Sequence, residues 1–207
     1  MSRLANTERT CFAPRMPVGF IVRAIVWLWF FGAVFAGYSL VLQRLPPPAV
    51  PALIFGLAGL LVAAYLGVGA LRDWVDAIDL RSLVLLHVAR FVGVVFLVLY
   101  RHGRLPYEFA VPGGIGDIVV ALFALPVALA PLGDTARLRA ISIWNIAGLA
   151  DILLVVVTAL RLNIADPQSL RALTQLPLSL LPTFLVPLLI ATHAVIFIRL
   201  ARMKRTA

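Results

Sequence analysis

"RSLVLLHVARFVGVVFLVLY", Arg81–Tyr100, is apolar at almost every position after its first two. A helix of about 20 predominantly apolar residues crosses the hydrocarbon of a bilayer. Inside this run, however, stand His87 and Arg90, three residues apart. Helical winding puts positions i and i+3 on one face, so imidazole and guanidinium share a side of the segment. An Arg at the centre of a span costs about 2.5–3.5 kcal/mol on insertion scales, and such residues face the bundle interior and pair. The stretch therefore predicts a polytopic helical membrane protein with counter-charges on neighbouring helices.

Both are present on either side of it. Five more segments meet the length and apolarity of a span: Pro17–Leu42, Val50–Leu71, Gly113–Leu132, Leu138–Leu162 and Leu176–Leu200. Punctuation separates them. "RLPPPAVP" stops one helix and opens the next, because proline lacks the donor a helix interior needs. "RDWVDAID", "GRLPYEFAVPGG", "PLGDTAR" and "NIADPQSLRALTQ" mark the later breaks, and the last is long enough for a short interfacial helix. Composition agrees. The chain is 62% hydrophobic and 13% charged with mean hydropathy +1.03, about half the charge usual in a soluble domain. The expected fold is all-α, a transmembrane bundle of six spans. Its organisation is a cytoplasmic N-terminal segment over 1–16, a membrane domain over 17–202 and a cytoplasmic tail over 203–207. The apolar run after the basic N-terminus exceeds the ~7–15-residue core of a signal peptide and reads as the first span. Gly32, Ala36, Gly56 and Gly59 are small residues expected at helix contacts.

The net charge of +9 follows the span ends and shows no nucleic-acid motif, so no nucleic-acid partner is expected. Membrane lipids are the expected contacts, with other membrane subunits or a second copy as further partners. Eleven Lys and Arg fall on the N-terminal side and five on the other, with Arg23 and Arg90 inside spans. Cytoplasmic ends of spans carry the excess, so both termini are expected in the cytoplasm, with the chain in a bacterial inner membrane. Cys11 is the only cysteine, which rules out an intramolecular disulfide and a CxxC motif.

Depth along the helices, at ~1.5 Å per residue, groups the polar residues. Arg90 and Asp151 stand at mid-membrane as the natural ion pair, and Asp117, read as lying in the first turn of the fourth helix, is the other carboxylate Arg90 reaches. His87, Asn145 and His193 fall in one layer on the cytoplasmic side of that pair. Thr183 and Thr192 add hydroxyls from the sixth helix. Tyr107, Glu108 and Asp117 line an expected outward mouth, where carboxylates attract cations or relay protons. Each group also has a plain structural reading: a register-fixing ion pair, a satisfied core histidine, a capping Asp.

His87 and His193 on facing helices offer two axial ligands for one haem, and a histidine with an Arg or carboxylate offers hydrogen bonds to a quinone. The paired histidines of six-helix ferric-reductase-like proteins are absent, since the third histidine, His102, lies in a loop. HExxH, a three-ligand metal cluster and a lysine within a span are absent too, and metal, protease and retinal chemistries lose their support. An enzymatic role is not favoured. "ARFVGVVFLVLYRHGRLPYEFAVPGGIGD" (Ala89–Asp117), "WNIAGLADILLVV" (Trp144–Val157) and "LPTFLVPLLIATHA" (Leu181–Ala194) resemble a family of small uncharacterised bacterial membrane proteins. The resemblance implies membrane residence and a shared core, and no activity. The leading expectation is a protein that binds or transports a small solute, cation or proton through His87, Arg90, Glu108, Asp117, Asn145, Asp151 and His193. An accessory subunit and a one-haem or quinone redox subunit are the alternatives.

The charge count makes one direct prediction. A reporter fused after Ala207 should read as cytoplasmic, and a periplasmic signal would reverse the assigned orientation.

Overall fold

The structure, a computed structural model, describes residues 17–206; the expected N-terminal segment 1–16, with Cys11, lies outside the described residues. Among those described, the regular elements are all helical, and six helices are long and apolar enough to cross a membrane. The spans, in order, are Val18–Tyr38, Ala49–Gly67, Leu80–Arg101, Tyr107–Leu129, Asp134–Ala165 and Leu181–Met203.

Several ends differ from expectation. The first span closes at Tyr38, and a 3-10 turn, Val41–Arg44, leads into the prolines. The second closes at Gly67, and a short amphipathic helix, Gly69–Asp76, occupies what reads as a linker. The loop before the sixth span holds only a 3-10 turn, Arg171–Thr174. The sixth helix continues to Thr206, into the expected tail. The largest correction concerns "YEFAVPGG". It is no loop, because the fourth span starts at Tyr107 behind Pro106 and carries Pro112 within its first two turns. Lipid leaves no water to satisfy an irregular backbone, so proline and glycine stay helical there when neighbours support them.

The third span changes its winding midway. Leu80–Leu85 and Gly93–Arg101 are α-helical, and Leu86–Val92 between them is a 3-10 helix. The pattern of burial explains the change. Leu83, His87, Arg90, Gly93 and Phe96 are buried, so the inward stripe from His87 onward has a period of three. Three residues per turn eclipse i and i+3, which keeps that stripe on one line where an α-helix would rotate it away.

The sixth span opens with a π turn, Leu181–Leu185. Pro187 follows and has no N–H for the carbonyl of Thr183, its i−4 partner. Trp29 of the first span supplies the missing donor, its Nε1 lying 2.9 Å from Thr183 O. Phe184 packs on Trp29 and Phe30 beside that bond.

Arginines close one end of the bundle. Arg199 donates to the carbonyls of Val75, Asp76 and Ile78, and Arg137 to those of Ala128, Ala130 and Leu132. These carbonyls lie at or just past helix ends, where intrahelical donors run out; those of Val75 and Ala130 also accept a backbone N–H. Above them lies an apolar cluster that includes Tyr65, Leu80, Val84, Ala124, Ile141 and Ile196. A second cluster, with Phe96, Phe109, Leu170 and Leu181, occupies the opposite half.

The tight helix contacts are not where the isolated small residues suggested. A Cβ on Gly32, Gly56 or Gly59 would meet nothing within 4 Å. A Cβ on Gly93 would lie 2.5 Å from Gly114 O and 2.8 Å from Asp117 Cβ, and one on Gly114 2.7 Å from Gly93 O. The third and fourth spans therefore touch backbone to backbone, and backbone cannot swing aside. Gly93→Ala should destabilise by about 1–3 kcal/mol, as overpacking does. Gly59→Ala should be neutral or stabilise by up to about 1 kcal/mol, the helix-interior cost of glycine. Thermal unfolding in detergent compares the two; equal midpoints would show that the Gly93–Gly114 contact is not limiting.

Candidate functional site

The site begins at the 3-10 segment, whose inward side chains are His87 and Arg90. Arg90 is almost wholly buried, at 1% exposure, and each of its three nitrogens donates to a different acceptor. Nε donates to Asp117 Oδ1 at 2.7 Å and Nη1 to Gly148 O at 2.8 Å. Nη2 donates to Asp151 Oδ2. The two pairings that depth left as alternatives are thus made at once. Asp117 is not above the Arg90–Asp151 layer but in it. With its helix starting at Tyr107, Asp117 lies about ten residues in, roughly 15 Å from the helix start, and neither the first turn nor the dipole accounts for it. Glu108, by contrast, is exposed in the first turn, so it and Asp117 do not share a mouth.

One turn from Arg90, the second polar layer is built from the third, fifth and sixth spans. Asn145 Nδ2 donates to His193 O at 3.1 Å. That leaves Asn145 Oδ1 as acceptor for His193 Nδ1–H, 2.8 Å away. The His193 and His87 rings lie 4.2 Å apart, and Trp144 packs edge-on against His87 at 5.0 Å. Trp144 fixes itself by donating from Nε1 to Val120 O at 3.0 Å. His87, Asn145 and His193 are fully buried; among the described residues neither nitrogen of His87 has a partner, nor has His193 Nε2. Gly148 joins the layers. Its carbonyl accepts from Arg90, and a Cβ there would lie 2.7 Å from His193 Cε1. Thr183 and Thr192 contribute no hydroxyl to the layers, because each donates to a carbonyl one turn back, Ser179 O and Leu188 O. His102 is exposed at the end of the third span.

The histidine layer does not fit a haem held between its rings. With metal–imidazole bonds of about 2.0–2.1 Å, two axial rings would have centroids roughly 6 Å apart with a porphyrin between them. At 4.2 Å the rings are in van der Waals contact, with Trp144 and Gly148 against them.

On the other side of Arg90 the bundle opens into a cavity of about 110 Å³. Its walls include Pro47, Ile54, Phe96, Phe109, Val156 and Leu189, and among the described residues its charged lining is Arg90 and Asp117. Leu170, Leu173 and Thr174, from the loop before the sixth span, lie along it as well.

Residues 47–201 match the family described as "Domain of unknown function (DUF8737)". The chain belongs to that family. The match takes in the second to sixth spans, and with them both polar layers and most of the cavity wall; the first span lies before it. No curated protein and no solved structure matches the chain.

Three contributors to this site escape a sequence reading. Gly148 acts through its carbonyl and its missing Cβ, and the residue type does not say which neighbours need the acceptor and the space. Gly116 makes room for the Asp151 carboxylate, whose Oδ1 occupies the place of its Cβ. The cavity arises from elements distant in sequence. The only available signal was the spacing of Asn145, Gly148 and Asp151, which repeats every three residues on one helix face.

Arg90→Met should leave two carboxylates facing one another and cost about 3–5 kcal/mol, the usual effect of removing one partner from a buried ionic cluster. The triple variant Arg90→Met, Asp117→Asn, Asp151→Asn should recover most of that loss. Equal unfolding midpoints for the single and triple variants would show that uncompensated charge is not the cause.

Proposed function

We propose that this membrane protein binds a small amphipathic molecule within the bilayer, its apolar part in the cavity and its polar head against Arg90 and Asp117. The cavity itself carries this reading: apolar walls that end on a buried ionic cluster match a ligand of the same make-up. Binding sites are commonly apolar pockets with a few placed polar groups. A hydrated cation finds a poorer match, since the walls offer almost nothing to replace its water. Passage through the bundle finds less support, because the apolar cluster around Val84, Ala124, Ile141 and Ile196 lies beyond the histidines. The expected mouth at Glu108 plays no part in this reading. With the termini in the cytoplasm of a bacterium, as the charge asymmetry favours, the cavity occupies the outer half of the inner membrane.

Hexanol, hexylamine and hexanoic acid share a six-carbon tail and differ in the head. At least one should stabilise the detergent-solubilised protein, by about 2.7 kcal/mol at a hundredfold excess over its dissociation constant. Ala159→Phe, which fills the cavity from its wall, should abolish the effect. Stabilisation by none of the three, or equal stabilisation of Ala159→Phe, would refute the cavity as a binding site.

A further inference from the structure

Resting on that reading, we infer that the ligand's head is cationic: a small apolar ammonium seats on the Asp117 carboxylate, in the cluster that Asp151 shares through Arg90, and takes the place of a proton. The inference comes from the charges around Arg90. One guanidinium faces two carboxylates, and its third bond goes to the neutral carbonyl of Gly148. Arginine stays protonated in proteins, so it balances one carboxylate and leaves the second in surplus. An uncompensated charge at this depth is costly, so a second positive charge completes the cluster.

The neighbouring groups do not supply it. The titratable and charged groups packed around the carboxylates are Arg90 and His87 from the third span and His193 from the sixth; the second span adds none to the cavity lining. A charged His87 would bury two N–H groups without acceptors, since neither ring nitrogen has a partner among the described residues. His193 donates from Nδ1 to Asn145, and a proton on Nε2 would likewise find no acceptor. The second positive charge therefore enters from the cavity, which Asp117 lines. Asp117 Oδ2 accepts no hydrogen bond from the described residues and is open to a donor. A donor is what an ammonium brings. An acceptor-only head, such as a quinone carbonyl or a carboxylate, finds at most the two Arg90 N–H groups that its three bonds leave over, and it adds no positive charge to balance the second carboxylate.

The cavity limits size as well. An apolar cavity of about 150 Å³ holds benzene. The one here, about 110 Å³ and open at its mouth, suits a single ring or a short alkyl chain. The exchange balances: the protonated carboxyl gives up its proton to solvent, and the ammonium, keeping its three hydrogens, pairs with the carboxylate that remains.

Titration calorimetry on the full chain in detergent tests both parts. Hexylammonium, hexanol and hexanoate are titrated at pH 6 in two buffers of different ionisation heat, against Ala159→Phe as blank. Hexylammonium should bind about tenfold or more tighter than hexanol, the advantage of a charge-assisted over a neutral hydrogen bond, and hexanoate weakest. The buffer dependence should report release of up to one proton per ligand. Asp117→Asn should erase the preference for the amine while hexanol binding persists; Asp151→Asn repeats the test if that variant does not fold. Hexanol or hexanoate binding as tightly as hexylammonium overturns the cationic head and leaves the cavity reading intact. Amine binding without proton release overturns the exchange. Failure of all three to bind overturns both readings.

Discussion

The guanidinium of Arg90 is planar, and its three nitrogens reach Asp117 on the fourth span and Gly148 and Asp151 on the fifth. A rigid fork with fixed donor directions tolerates little sliding of one helix past another. Three helices thus have their depth and rotation set by one side chain, and the rest of the local structure follows from making that reach. The spans must approach closely, so glycine stands at positions 93, 114, 116 and 148, where a Cβ would strike a backbone, a carboxylate or an imidazole. The inward stripe of the third span must keep a period of three, so its middle winds as a 3-10 helix, tighter and with poorer hydrogen bonds than an α-helix.

The two polar layers behave differently although only a turn separates them. Around Arg90 every guanidinium nitrogen is matched and the surplus is negative, facing a cavity. Around His87 the groups are neutral and closely packed, and three ring nitrogens remain without partners among the described residues. Trp144 and Gly148 press on these rings from the same helix that supplies Asn145. The histidines thus sit beyond the ionic cluster as seen from the cavity, backed by the apolar cluster that leads to the arginine-capped end. A molecule that enters from the cavity meets carboxylate before imidazole. On the proposed reading, this order puts recognition on Asp117 and leaves His87 and His193 as packing.

Much of this could be read from the residues. Six apolar runs predicted six spans, the buried Arg90 demanded an acidic partner, and depth alone brought His87, Asn145 and His193 to one level. The failures have physical causes. "VPGG" reads as a break because in water a proline and two glycines favour turns, whereas in lipid the helix is the one way to satisfy that backbone. Starting the helix at Gly113 instead of Tyr107 puts Asp117 six residues too near its end, enough to hide that both aspartates share one arginine. Gly56 and Gly59 looked like contact residues because small size is needed for close approach but does not show that a neighbour is there. The tight contacts depend on which face each glycine presents, and that follows from the 3-10 winding, which no propensity in "LHVARFV" announces. The cavity was least legible, because its wall joins "PPPAVP", the loop at Leu170–Thr174 and residues of five spans.

The first span raises a separate point. It lies before the family match, and few of its residues are buried. Phe20, Trp27, Phe31, Phe35 and Tyr38 turn outward, as lipid-facing residues do. Its inward contacts are confined: Gly19 lies against Trp74, Gly37 against Leu176 and Ser179, and Trp29 on the π turn. The last contact touches the site. Leu181, Pro182 and Leu185 of the π turn line the cavity, and the carbonyl that Pro187 leaves without a donor is bound by Trp29. An unsatisfied carbonyl in hydrocarbon would cost several kcal/mol, so without the indole the turn would have to rewind or draw in water. Either change would move the three side chains that form this side of the cavity. The first span thus holds the cavity wall in shape while contributing little more to it than Leu42, just past its end.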